Sequence, residues 1–113
     1  MIDNYDEAME LVRKMEAALP IPARPSKMLV QGMRERGEKI KLKRNVQIEK
    51  VFYLGDEGGI MCGVKLPEQA ETAVVVSLTH IRVKFNHPLV REIRAYQLER
   101  TKKLAQIQRR GLP

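Results

Sequence analysis

The feature that most constrains the fold of this chain is a change in the spacing of its apolar residues, which occurs near Lys39 and is reversed at Pro88. Outside this interval apolar residues recur every three or four positions, as on one face of an α-helix. Inside it they recur every second position, as in a half-buried β-strand. The pattern predicts an α+β fold with element order α-α-β-β-β-α, in which N-terminal helices and one long C-terminal helix flank an antiparallel sheet of three or four strands.

Asn4 or Asp3 is predicted to cap the first helix, and Glu7, three residues after Asn4, stands in the register of a capping box. Pro20 ends this helix. Residues 20–25 are expected to form a rigid connector, since each proline excludes helical geometry for its predecessor. Ser26 then caps a short second helix that ends at Gly37. The buried stripe of the first helix is predicted to comprise Tyr5, Ala8, Met9, Val12, Met15 and Leu19.

Three strand-like stretches follow. Val46–Leu54 is predicted to be a strand with its even-numbered residues facing the core, and Ile60–Lys65 is its return strand. The glycine-rich segment Gly55–Gly59 joins them as a hairpin turn; it is not a phosphate loop, because it carries two carboxylates and leads into a strand. Thr72–Val83 is apolar and β-branched on both faces, so we expect it in the middle of the sheet.

The last helix is predicted to run from Pro88 to about Arg109, which corresponds to about 33 Å at 1.5 Å per residue. This length exceeds the core of a domain of this size, so residues 101–113 are expected to form a protruding or mobile basic tail. One face each of residues 5–19 and 89–107 is expected to cover the sheet.

Composition narrows the class of protein. Apolar residues make up 43% of the 113 positions and charged residues 31%, which predicts one globular domain over residues 1–113. The acidic N-terminal segment is unlike a signal peptide, and the longest apolar run, Ala73–Val76, is too short to cross a membrane. Cys62 is the single cysteine and has no partner for a disulfide within the chain. These features predict a cytoplasmic protein that does not bind membranes.

Residues with catalytic or metal-binding chemistry are few. Cys62 is expected to be a small buried hydrophobe, His80 a partly buried strand residue that is hydrogen-bonded to a neighbour, and His87 a residue of the last helix's N-terminal cap. No nucleophile elbow and no paired metal ligands occur, so we predict no cofactor and no metal. Whether these three residues lie near one another is left open by the sequence.

The charge of the chain alternates in blocks. The net charge of +7 is the balance of −3 over residues 1–19, +6 over 20–50, −3 over 51–79 and +7 over 80–113. The two basic blocks predict a surface for a polyanion, although cations near a helix C-terminus also complement its dipole and aid solubility. The candidate contacts are Arg34, Arg36, Lys39, Lys41 and Lys43 in the first block and Arg91, Arg94, Lys102, Lys103 and Arg109 in the last helix.

Three functional classes are compatible with these observations. The first is a non-enzymatic protein whose basic surface binds nucleic acid or another polyanion without marked sequence preference. The second is an assembly module, most simply a homodimer, in which the basic charge serves solubility. Its self-association residues would be Val90, Ile93, Leu104 and Ile107 on the last helix. The third is a small enzyme, for which the sequence offers no convergent set of polar residues.

Overall fold

The structure, a computed structural model, describes residues 2–35, 37, 45–65 and 73–111. Within these ranges the helices are α1 (Tyr5–Ala18), α2 (Lys27–Glu35), the single turn α3 (Gly55–Gly58) and α4 (Val90–Gly111). The strands are β1 (Ile21–Pro25), β2 (Val46–Tyr53), β3 (Ile60–Lys65), β4 (Ala73–Ser77) and β5 (Ile81–Val83). The strands form one antiparallel sheet in the order β4-β3-β2-β1-β5, so the fold is α+β as predicted, with five strands in place of three or four.

The prediction of a rigid connector over residues 20–25 is wrong, because this segment contains the inner strand β1, which pairs with β2 and β5. Successive N–H groups of a strand point to opposite sides. The Ser26 N–H donates to the His80 carbonyl on the β5 side at 2.9 Å, so the nitrogen of Pro22 faces the same side and that of Pro25 faces β2. In the observed register the Pro22 nitrogen lies opposite Lys84, one residue beyond the end of β5 at Val83. Pro22 therefore removes no hydrogen bond from the ladder between β1 and β5.

The prediction of one central strand over Thr72–Val83 is also wrong. This stretch contains two strands, β4 and β5, which lie at opposite edges of the sheet. Between them Leu78–His80 forms a 3-10 turn, in which the Ser77 hydroxyl accepts a hydrogen bond from the Thr79 N–H at 3.2 Å. The turn redirects the chain, so that β5 pairs with β1 instead of continuing beside β3.

The predicted hairpin of β2 and β3 is confirmed. Its loop contains the turn α3, which begins at Gly55 and is followed by Gly59, and these two glycines have positive φ angles of 83° and 68°. The expected alternation along β2 holds only to Ile48, because a β-bulge shifts the register between Ile48 and Lys50. Beyond the bulge Val51 is buried, and the even-numbered Leu54 is exposed instead of facing the core.

The structure has Asn4, one of the two candidates, as the cap of α1, and Ser26 is hydrogen-bonded at the start of α2 as predicted. The Asn4 side chain accepts a hydrogen bond from the Glu7 N–H at 3.1 Å, and the Ser26 hydroxyl accepts one from the Leu29 N–H at 3.2 Å. The first helix buries Ala8, Leu11, Val12 and Met15, while Tyr5 is exposed despite its place in the predicted stripe.

The helices are arranged differently around the sheet. Helix α1 packs on β2, and α2 packs on β1 and on the 3-10 turn. Helix α4 packs on the same turn and on α1, and it meets the sheet through Tyr96, which accepts the Ile60 N–H of β3, and Gln97, which donates to the Ile81 carbonyl of β5. This arrangement leaves one side of α4 facing solvent along its length.

Candidate nucleic-acid interface

Helix α4 has a buried face and an exposed face. Ile93, Gln97 and Arg100 are buried against the body of the protein. The opposite face carries the exposed cations Arg91, Lys102 and Arg109, and the exposed Arg94 lies to one side of them; we call these four residues the basic stripe. At 1.5 Å per residue the stripe is about 27 Å long. In the part of the chain that the structure describes, no carboxylate lies within 4.0 Å of these four side chains.

The other predicted contacts are placed differently or lie outside the described residues. Lys103 is half-buried and pairs with Glu99 at 3.5 Å, so its charge is partly neutralised. Arg34 is exposed in the last turn of α2. Four predicted contacts lie outside the described residues: Arg36, Lys39, Lys41 and Lys43. The basic stripe is therefore the part of the predicted surface that the structure assembles.

The predicted self-association residues follow the opposite face of α4. Ile93 is fully buried in the core of its own chain, and Val90 and Leu104 are half-buried. Ile107, one turn further on, is 50% exposed. The apolar face of α4 thus extends past the last fully buried residue of the helix, Arg100.

Arg100 forms a buried ion pair that sequence reasoning did not identify. Its Nη1 lies 3.0 Å from Asp3 Oδ1, and the two side chains are only 3% and 2% exposed. The same guanidinium donates to the carbonyls of Asp56 and Glu57 in α3, at 3.0 and 2.6 Å. A basic residue inside the apolar stripe of α4 was the available sequence signal, since an arginine at such a position requires a buried partner.

Tyr96 and Asp56 extend this cluster. The Tyr96 hydroxyl donates to Asp3 Oδ2 at 2.8 Å and accepts from the Ile60 N–H at 2.9 Å. Burial, together with the contact with Asp3, raises the pKa of Tyr96. Asp56 Oδ1 accepts from the Ile2 and Asp3 N–H groups at 2.7 and 2.9 Å, and the bond from Asp3 contributes most to lowering the pKa of Asp56. The polar groups of the cluster thus bind one another, and this arrangement fits a structural role.

A groove of about 940 Å³ lies between α1 and α4, beside the buried pair. Its lining includes five carboxylates besides Asp3: Asp6, Glu7, Glu10, Glu92 and Glu99. The cations that line it are Arg100, which is bound to Asp3, and Lys14 and Lys103, which pair with Glu92 and Glu99. A polyanion is repelled by such a lining, so the groove and the basic stripe divide α4 into an acidic and a basic side.

The residues considered for catalysis or metal binding have structural contacts. Cys62 is fully buried in β3, and burial raises the pKa of its thiol to about 12. His80 is half-buried in the 3-10 turn, and its carbonyl accepts the Ser26 N–H. The His87 Nδ1 accepts the Leu89 N–H at 3.0 Å, next to the start of α4. Among the described residues no group of three or more His, Cys, Asp or Glu side chains is arranged to hold a metal ion.

Comparison with known proteins does not add a functional assignment. No protein-family model, no curated protein and no solved structure matches this chain. Within the described residues, none of the helices combines the length and the apolar character needed to cross a membrane. Function is therefore inferred from the surfaces of the described residues.

Proposed function

We propose that this chain is a small non-enzymatic protein of the cytoplasm that binds nucleic acid, or a polyanion of similar charge density, through the basic stripe. The binding would show no marked sequence preference, because phosphate contacts carry no sequence information. Support comes above all from the exposure of Arg91, Arg94, Lys102 and Arg109 on one side of α4 without a neighbouring carboxylate among the described residues.

The physical basis of the proposal is counterion release. Duplex DNA carries one charge per ~1.7 Å of axis, so a cationic stripe about 27 Å long can meet several phosphates, and each contact releases a condensed counterion. The acidic groove lies on the other side of α4 and disfavours a second binding orientation. Affinity is then set by charge density and salt concentration.

The test compares two variants that lower the net charge equally. One replaces Arg91, Lys102 and Arg109 in the basic stripe by alanine. The control replaces Arg13, Lys50 and Lys65, exposed cations of α1, β2 and β3, in the same way. Binding of labelled duplexes of two unrelated sequences is followed by fluorescence anisotropy from ~50 mM to ~200 mM salt, the range in which phosphate contacts have large effects on affinity.

The stripe variant is expected to lose up to roughly tenfold in affinity per lost phosphate contact at 0.1 M salt, equally for both sequences. The slope of log K against log salt should become shallower by up to ~0.9 per lost contact. The control variant should retain most of the affinity. Equal losses in the two variants would show that net charge alone matters. Absence of binding by the unmodified protein at ~50 mM salt would refute the proposal.

Self-association through the end of α4 is a second candidate function, favoured by the exposure of Ile107 beyond the covered part of the helix. A second copy that packs against Leu104 and Ile107 would bury this apolar surface. Light scattering at micromolar concentration should then report a dimer that Ile107→Asp converts to a monomer. A clean monomer for the unmodified chain would exclude this function.

A further inference from the structure

Two stretches of the chain contain no acidic residue. Residues 17–34 and 72–91 lack Asp and Glu, and together they contain six Lys or Arg residues: Arg24, Lys27, Arg34, Arg82, Lys84 and Arg91. The structure brings the two stretches together, since β1 belongs to the first and β5 to the second, and the two strands are hydrogen-bonded neighbours. Because β5 is an edge strand, acid-free sequence is concentrated at this edge of the sheet.

The cations of this edge lie close to one another. Arg24 of β1 and Arg82 of β5 are directly opposite in the register, and both are exposed. Lys84 is exposed two residues beyond Arg82, and Lys27 lines with Arg82 and Thr79 a depression of about 370 Å³. Among the described residues none of these four cations has a carboxylate within 4.0 Å. We refer to Arg24, Lys27, Arg82 and Lys84 as the basic edge.

Stability does not explain the basic edge. Like charges directly opposite each other in adjacent strands are destabilising, so the pair of Arg24 and Arg82 raises the free energy of the folded chain. A bound polyanion removes this repulsion. Charged residues do protect an edge strand from unwanted pairing, but of these two strands only β5 is at an edge, and Arg24 lies on the inner strand β1.

The chain leaves β5 after Val83 and carries an exposed aromatic residue, Phe85, directly after Lys84 of the basic edge. Phe85 is 82% exposed, which is the highest value among the exposed large apolar side chains of the described residues. Met28, which lines the depression, is 70% exposed. Phe85 is three residues from Arg82, which at ~3.3 Å per residue places their Cα atoms within about 10 Å. Cations beside an exposed ring are the combination that binds single strands, with phosphates on the cations and a base stacked on the ring.

We propose that the basic edge and Phe85 bind single-stranded nucleic acid. The phosphodiester groups contact Arg24, Arg82 and the neighbouring lysines, while one base stacks on the Phe85 ring. A duplex cannot use the ring in this way, because the faces of its bases are already stacked on one another. The inference rests on the proposed function in taking nucleic acid as the ligand, but it involves residues separate from the basic stripe and specifies the form of the strand.

The first arm of the test concerns the ring. Phe85→Ala is compared with Val75→Ala, which removes another exposed apolar side chain, on β4 at the opposite edge of the sheet. The probes are a fluorescent oligothymidylate and a fluorescent hairpin duplex of equal nucleotide count. Phe85→Ala should lower affinity for the single strand about fivefold to a hundredfold, the range for one stacked base, and leave affinity for the duplex unchanged. Val75→Ala should leave both affinities unchanged.

The second arm concerns the cations. Arg24→Ala with Arg82→Ala is compared with Arg13→Ala with Lys50→Ala, a pair of exposed cations elsewhere that gives the same change in net charge. The first pair should weaken single-strand binding and flatten its salt dependence, and the second should do so much less. Urea unfolding confirms that all variants remain folded, since exposed substitutions usually change stability by less than about 0.5 kcal/mol.

The outcomes separate this inference from the proposed function. If the Phe85 and Arg24/Arg82 variants keep single-strand affinity within about twofold of the unmodified protein while the basic-stripe variant loses duplex affinity, the basic edge is not a binding site and the proposed function stands. If Phe85→Ala lowers the affinity for both probes equally, the ring does not stack on an unpaired base and the inference fails. If only the Phe85 and Arg24/Arg82 variants lose affinity, the basic edge is a binding site and the basic stripe is not. Binding of neither probe overturns both.

Discussion

Arg100 of α4 and Asp3, the residue before the Asn4 cap of α1, form an almost fully buried ion pair in which Nη1 lies 3.0 Å from Oδ1. The contact joins three parts of the fold, because the same guanidinium holds two carbonyls of α3 and Asp3 also accepts the Tyr96 hydroxyl. Every charge in this cluster has a hydrogen-bonding partner, so each group is costly to remove singly.

Replacement of Arg100 by methionine should lower the free energy of unfolding by about 3–5 kcal/mol, because it leaves the Asp3 carboxylate buried without its counter-charge and two carbonyls without a donor. Urea denaturation measures the loss. Arg109→Met, on the exposed side of the same helix, is the control and should stay within about 0.5 kcal/mol of the unmodified protein. Similar midpoints for the two variants would contradict the structural role assigned to Arg100.

Gly59 should not tolerate a side chain. Its φ is +68°, and a Cβ there would lie 2.6 Å from the Tyr96 hydroxyl and 2.7 Å from the Arg100 guanidinium carbon. We expect Gly59→Ala to cost about 2 kcal/mol or more in thermal or urea unfolding. Gly32→Ala is the matched control, because the space around Gly32 in α2 is open within 4 Å and alanine favours the helix by about 0.5–1 kcal/mol. Changes of the same sign at both positions would refute this expectation.

Cys62 should be unreactive in the folded protein. Its side chain is fully buried in β3 and burial raises its pKa to about 12, so the thiolate that reacts with disulfide reagents is scarce at pH 8. Reaction with an aromatic disulfide reagent should be slow in buffer and complete, at one thiol per chain, in denaturant. The slow rate then reports opening of the sheet. Rapid labelling without denaturant would show that β3 is accessible.

His80 should make stability depend on pH. Burial, and after it the charge of Arg82, lowers the pKa of His80 below its ordinary value of 6.5. As the pH falls through 6.5 the unfolded chain takes up the proton first, so stability decreases until the folded-state pKa is passed and is then constant. The difference in unfolding free energy between the unmodified protein and His80→Gln should therefore vary between pH 7 and 5. Parallel pH profiles would show that His80 does not contribute.

Local signals in the sequence predicted the elements that local interactions determine. The caps at Asn4 and Ser26 and the turn at Gly55–Gly59 depend on residues within a few positions, and they were predicted correctly. The helical periodicity of α4 separated the buried Ile93 from the exposed Arg91 for the same reason.

Long-range pairing determined what the sequence did not predict. Residues 20–25 look like a connector because proline has no N–H to donate to a neighbouring strand. Whether a hydrogen bond is lost depends on where the neighbouring strands end, and only the tertiary structure determines that. The run 72–83 looks like a central strand because β-branched residues also suit edges. The partner of Arg100 was not predicted because Asp3 is remote in sequence, and the basic edge because it combines two distant segments.

The position of β1 between β2 and β5 also has a consequence for the order of folding. Both neighbours of β1 come later in the chain than β1 itself, and the second of them is separated from it by the whole β2–β3 hairpin and β4. Synthesis proceeds from the N-terminus, so β1 leaves the ribosome before either of its partners exists. The hairpin forms from local contacts. Pairing of β5 with β1 requires the long segment between them to close into a loop, and this pairing raises the contact order of the fold. We therefore expect the chain to acquire its complete sheet late, when Ile81–Val83 reaches β1.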